Sequence, residues 1–256
     1  MYAYISELLS DKKGSAIFSC LGIWHFCYIF AFIVIITLLI VHLRQRDKQS
    51  QQKGISFFIN CAFILYISDL FLMPFAYGKI DVEKLPFHIC TAMCVMCFWS
   101  RHNQFLARFR QHFALLGFIS NLIYFFYPAG LMWYQIHSLS YRVLQTLLFH
   151  ACMAIYGLLF LLFEDIKYDS TARRKDFAVI VAMTLWALLG NALYTGQAWG
   201  HTNNFNWFFV IQDPFSLLPS RIARYVMPPL NILLFYSLDM FVYFILRITH
   251  RTRTSS

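Results

Sequence analysis

KLPFHICTAMCVMCFW, residues 84–99, is an apolar run that seats one histidine, His88, and three cysteines, Cys90, Cys94 and Cys97. Whether it crosses a bilayer fixes the number of spans and therefore the orientation of everything downstream. A helix needs about 20 apolar residues to cross roughly 30 Å of hydrocarbon. This run offers only the stretch Pro86–Trp99, so it is a short span, a re-entrant segment, or a span extended through the amphipathic NQFLARF that follows.

The surrounding composition leaves no doubt about the class. Hydrophobic residues form 59% of the 256-residue chain and charged residues 13%, with 28 phenylalanines. So little charge cannot cover so much apolar surface in water, which excludes a soluble domain. Working outward from Pro86–Trp99, six further apolar stretches lie at Ala16–Val41, Ile55–Phe75, His112–Leu131, Arg142–Phe163, Phe177–Ala198 and Ala223–Leu246. The expectation is an all-α, polytopic membrane helix bundle of about seven transmembrane helices. Residues 1–256 are expected to form a single integral membrane domain.

The net charge of +9 is a topology signal here and not a nucleic-acid footprint, because Lys and Arg collect in cytoplasmic loops. Arg44, Arg46, Lys48 and Lys53 follow the first span, and Arg101, Arg108 and Arg110 the third. Lys167, Arg173, Arg174 and Lys175 follow the fifth, and Arg247, Arg251 and Arg253 close the chain. This alternation predicts an N-terminus outside, a C-terminus inside and a multi-pass protein of the cell membrane. The first apolar run is too long for a signal-peptide core and is read as a retained span. The segment Trp199–Arg221, dense in aromatics, reads as an interfacial belt or a re-entrant hairpin.

Ionisable and amide side chains inside spans mark bundle interiors. His25, Asp69, His88, Asn121, His150 and Asn191 come from six spans, yet each falls in the half of its span nearer the outside. Consecutive spans alternate in direction, so a shared depth points to one outward-facing polar cavity that binds a small molecule or a lipid head group. The opposing reading is scattered interhelical hydrogen bonding, worth about 0.6 kcal/mol per contact on average. Thr146, His150, Ala154 and Gly157 form one helical stripe; Asn191, Tyr194, Thr195 and Ala198 form another. Asp69 needs a partner, and a histidine is one candidate. Asp239 lies in the inner half and invites a basic partner. Pro228–Pro229 would break or kink the last span.

Cys90, Cys94 and Cys97 are spaced i, i+4, i+7 and share a face, whereas His88 points about 200° away from Cys90. That spacing argues against a metal centre, and no second Cys-x2-Cys pair exists to complete one. No cofactor is implied. Packing is the ordinary role of a buried cysteine, but Cys90 sits near a helix N-terminus, which favours a thiolate. It would need a base from another span, His150 or His25.

The chain resembles the YwaF family of bacterial integral membrane proteins. The likeness is carried by His25, by LPFHIC at 85–90, by LFHACMA at 148–154, and by the region from Asn191 through NNFNWFF to Asp213-Pro214. Where that family carries an acidic residue after the third-span cysteine, this chain has Thr91. The family is distantly similar to eukaryotic transmembrane proteins implicated in phospholipid acyl transfer. That likeness implies Cys90 as nucleophile and His150 as base of a lipid acyltransferase or hydrolase, with membrane lipid as partner. A small-molecule transporter or sensor is the third reading; oligomeric state is open.

Overall fold

The computed structural model describes residues 17–77, 84–128, 131, 136–194, 206–210 and 217–254. Among these residues every extended element is a helix: α1 Ile23–Arg44, α2 Lys48–Tyr77, α3 Ile89–Trp99, α4 Gln104–Ala107, α5 Arg110–Phe126, α6 Tyr141–Phe163, α7 Ser170–Tyr194 and α8 Ser220–Thr254. A short 3-10 turn, Trp207–Phe209, precedes α8.

Five helices, α1, α2, α6, α7 and α8, are long and apolar enough to cross a membrane. They coincide with five of the seven expected spans. The expected span Pro86–Trp99 is instead the 11-residue α3, about 16 Å long at 1.5 Å per residue and too short to cross alone. Its start is set by the extended backbone of His88 (φ −73°, ψ 140°), two residues after Pro86, which holds the preceding Leu85 out of the helical region. Its end is set by Ser100, after which Asn103 caps α4 by accepting from the amides of Phe105 and Leu106 at 2.9 and 3.0 Å. The expected span His112–Leu131 is the 17-residue α5. The last span was expected to break or kink at Pro228–Pro229; it does not break there, and both prolines lie inside a single helix. A lipid-exposed break would strand backbone polar groups, so continuing the helix is the cheaper solution.

The chain resolves into two compact units, one formed by residues 1–84 and 120–163, the other by 85–119 and 164–256. The first is built on α2 and α6. Lys48 Nζ donates to the Phe163 carbonyl, and Gln145 Nε2 donates to the Leu65 carbonyl at 3.2 Å. Position 48 meets 163 and 65 meets 145, so the two helices run antiparallel in register. The Thr146, His150, Ala154 and Gly157 stripe is buried throughout, as small residues at a close helix interface should be. In α6, 72% of the most apolar window is buried, against 22% in α1; α6 is the centre of this unit and α1 presents Phe26, Phe30 and Leu38 outward. Asp47 begins α2, accepting from the Ser50 amide at 3.2 Å. The Ser50 side chain and amide hold its carboxyl below the ordinary carboxylate value. That contribution is complete at neutral pH and is lost as pH falls through the lowered value.

In the second unit the approach to α3 is fixed against α7. Phe87 stacks on Trp186 with centroids 4.9 Å apart, and Trp186 Nε1 donates to the Pro86 carbonyl at 2.7 Å. Gly190 makes this possible: a Cβ there would stand 2.3 Å from the Phe87 ring and 2.9 Å from its own Cβ. At Gly54 an added Cβ would meet only the flexible end of Leu43, at 3.2 Å. Gly190→Ala is therefore expected to cost about 1–3 kcal/mol by overpacking, and Gly54→Ala clearly less. Thermal unfolding of the two purified variants beside wild type measures the difference.

Candidate functional site

His150 lies in the middle of α6, 6% exposed. Its Nδ1 meets Asn121 Oδ1 at 2.7 Å, and the Tyr124 ring stacks on it at 3.9 Å and 22°. An amide oxygen only accepts, so Nδ1 carries the proton and Nε2 is the basic nitrogen. The imidazole is thus fixed in one tautomer and one plane.

His25 is held differently. The Leu21 amide donates to Nδ1 at 2.9 Å, which makes Nε2 the donor to the Phe125 carbonyl, also at 2.9 Å. Both ring nitrogens are spent on backbone, and the side chain is fully buried. His25 ties the start of α1 to the end of α5; of the two histidines considered as a base, it is the structural one.

Asp69 was expected to find a histidine. Its partner is Lys84, Nζ to Oδ2 2.8 Å, with the Lys84 carbonyl accepting from Tyr66 Oη at 3.0 Å. Lysine is the better counter-ion for a carboxylate that is 2% exposed, because its charge does not depend on a tautomer or a neutral pH. Among the described residues, Asp69 Oδ1 has no hydrogen-bond partner. From the α2–α6 register, Asp69 and His150 are separated by roughly 13 Å along the pair.

The other candidates belong to the second unit. His88 caps the N-terminal end of α3 without a side-chain capping bond and meets the Phe209 ring edge-on at 6.3 Å. Cys90 is the second residue of α3, in the turn whose amides the helix ladder does not use. It is buried with Cys94 and Cys97, as their common face requires. Asn191 Nδ2 donates to the Ala187 carbonyl at 2.8 Å, one turn back on its own helix; Tyr194 packs on Phe87 at 5.7 Å. Of the six residues expected to line one cavity, His25, Asp69, Asn121 and His150 fall in the first unit and His88 and Asn191 in the second, and Asn121 and His150 share a hydrogen bond. Thr195, Ala198 and most of the aromatic segment Trp199–Arg221 lie outside the described residues.

What is described of that segment is unusual. Phe208 and Phe209 both have positive φ, 59° and 51°, a left-handed backbone that costs a bulky residue about 1–3 kcal/mol. Asn231 Nδ2 donates to both their carbonyls, at 2.7 and 3.0 Å, while Phe208 is buried against Phe235.

A second polar cluster escaped the sequence reading. His112 Nδ1 lies 2.6 Å from Asp176 Oδ1, to which Tyr243 Oη also donates at 3.2 Å. Asp239, expected to meet a basic residue, has Asp176 as its electrostatic neighbour. Asp176 had been hidden by the adjoining Arg173, Arg174 and Lys175, which read as a loop.

With this geometry in place, the comparison with known proteins has a clear outcome. The TMEM164 family profile matches residues 20–248. The chain belongs to the TMEM164 family. It is accordingly a multipass membrane protein, which is the coarser content of the YwaF likeness; the family itself is TMEM164. Comparison with curated proteins and with solved structures returned no match.

Removing Lys84 leaves a buried carboxylate with no counter-charge. Lys84→Met is expected to destabilise by roughly 1–3 kcal/mol, and Asp69→Asn in the same chain to recover most of it. Unfolding curves of the single and double variants give the coupling directly.

Proposed function

We propose that this protein transfers acyl groups between membrane glycerophospholipids, with Cys90 as the nucleophile and His150 as the base. The observation that carries the reading is the bond from His150 Nδ1 to Asn121 Oδ1. A general base needs one basic nitrogen and a third group that fixes its tautomer, and Asn121 supplies that orientation without itself titrating. His25, spent on two backbone groups, has no such role. Cys90 is supported by its place in the first turn of α3, where the helix dipole favours a thiolate.

In the proposed cycle, His150 Nε2 takes the thiol proton as Cys90 sulfur attacks an ester carbonyl of the donor lipid. The tetrahedral intermediate collapses, the lysolipid alkoxide leaves with the proton from His150, and a thioester remains on Cys90. The hydroxyl of an acceptor lysolipid then gives its proton to His150 as its oxygen attacks the thioester. The new ester forms and the thiol is restored; water in place of the hydroxyl yields a free fatty acid. Asp69 and Lys84, offset from His150 by roughly 13 Å along α2 and α6, suit the charged head group of a lipid whose ester linkages lie near the base. His88, Asn191 and Tyr194 belong to the proposed binding surface beside Cys90, which in this reading opens to the outer leaflet.

In vesicles containing an isotope-labelled donor phospholipid and a lysolipid acceptor, wild type should form labelled product. Cys90→Ala should abolish the label, His150→Gln should slow it about 10²-fold or more, and Cys94→Ala should leave it intact. Trapping the thioester by its lability to hydroxylamine identifies the nucleophile. A Cys90→Ala variant as active as wild type would end this reading.

A further inference from the structure

The cluster in the second unit is not used by the acyl-transfer reading, and its hydrogen bonding does not close. Asp176 and Asp239 are each 1% exposed. Asp176 Oδ1 is doubly served, by His112 Nδ1 at 2.6 Å and by Tyr243 Oη at 3.2 Å, and Tyr243 is itself positioned by Gln111 Nε2 at 2.9 Å. Among the described residues, Asp176 Oδ2 and Asp239 Oδ1 have no hydrogen-bond partner. The two carboxylates are electrostatic neighbours, and Tyr243 feels both.

Charge narrows what belongs there. Asp239 lies one helical turn before Tyr243, whose hydroxyl reaches Asp176 at 3.2 Å, and the titratable groups packed around the pair are His112 from α5, Tyr243 from α8 and, against the Tyr243 ring at 5.4 Å, Tyr168. No lysine or arginine forms an ion pair with either carboxylate among the described residues. Even a charged His112 offsets only one of two negative charges. A trapped water could satisfy the idle oxygens but not neutralise them, and a buried carboxylate is paired, bound to a cation or kept neutral by a proton. The donor set is also selective. Calcium takes six to eight oxygens, more than these side chains offer, and among the described residues no three His, Cys, Asp or Glu side chains are grouped to hold a metal ion. Two carboxylate oxygens with a phenolic hydroxyl at hand suit one small, hard, singly charged ion.

We propose that Asp176 and Asp239 form a buried site for one monovalent metal cation of sodium size, flanked by Tyr243 and closed on one side by His112. The ion bridges α7 to α8 and supplies the positive charge that the side chains lack. The site is separate from Cys90 and His150 in residue and in chemistry, so it stands whatever the fate of the acyl-transfer reading.

Thermal unfolding of the purified full chain in detergent, at constant ionic strength and fixed pH, tests this. Sodium chloride in place of choline chloride should raise the Tm saturably, by about 5 °C at a hundredfold excess over Kd. Potassium and magnesium should do less. The rise should vanish in Asp239→Asn and Asp176→Asn and persist in Asp47→Asn, whose carboxylate is exposed. Should the first two variants fail to fold, the salt series on wild type still decides. Equal stabilisation by choline or potassium overturns the site. So does a rise produced only by acid in sodium-free buffer, which would mean that the carboxylates share a proton instead. A sodium effect undiminished in Asp239→Asn overturns it as well.

Discussion

Hydrocarbon offers neither a hydrogen bond nor a counter-charge, and that single deficiency organises this molecule. Every polar group placed inside a membrane bundle must find its complement within the protein. His25 gives both nitrogens to backbone, Asp69 takes Lys84, Asn191 turns back on its own helix, and α8 continues through two prolines. These are four solutions to one constraint, although one Asp69 oxygen stays without a hydrogen bond among the described residues. The residues that stand out are those whose arrangement exceeds what mere satisfaction requires.

His150 is the first of these. A buried histidine could be satisfied in many ways, but an aromatic ring stacked on its face and an amide oxygen on one nitrogen fix its tautomer as well as its position. Asp176 and Asp239 are the converse, a place where satisfaction is incomplete. Excess order and deficient pairing both depart from the simpler arrangements of the other polar residues, and the two proposals made above rest on them.

Much of this was legible beforehand. Composition decided the class, because 59% hydrophobic against 13% charged residues has no soluble solution. The polar positions in spans were visible because hydropathy makes them conspicuous, so Asn121 and His150 were both named from sequence. Their mutual bond was not visible, since it depends on the rotation of two helices about their axes. Lys84 was missed as the partner of Asp69 because it comes from a connection 15 residues downstream, and spacing rules describe only neighbours within a helix. The shortness of α3 was half visible in Pro86. His112 and Asp176 were missed for a different reason. Both sit where an apolar run gives way to basic residues, and a positive loop conceals one acid and one histidine that in fact point inward.

The left-handed pair Phe208–Phe209 has a consequence in time. Its backbone conformation is unfavourable in isolation, and the amide that compensates it belongs to Asn231, more than twenty residues later in the chain. During synthesis the turn emerges well before its clamp. It can settle only after α8 has entered the bilayer past its two prolines, so the link between α7 and α8 takes its final shape among the last events of assembly.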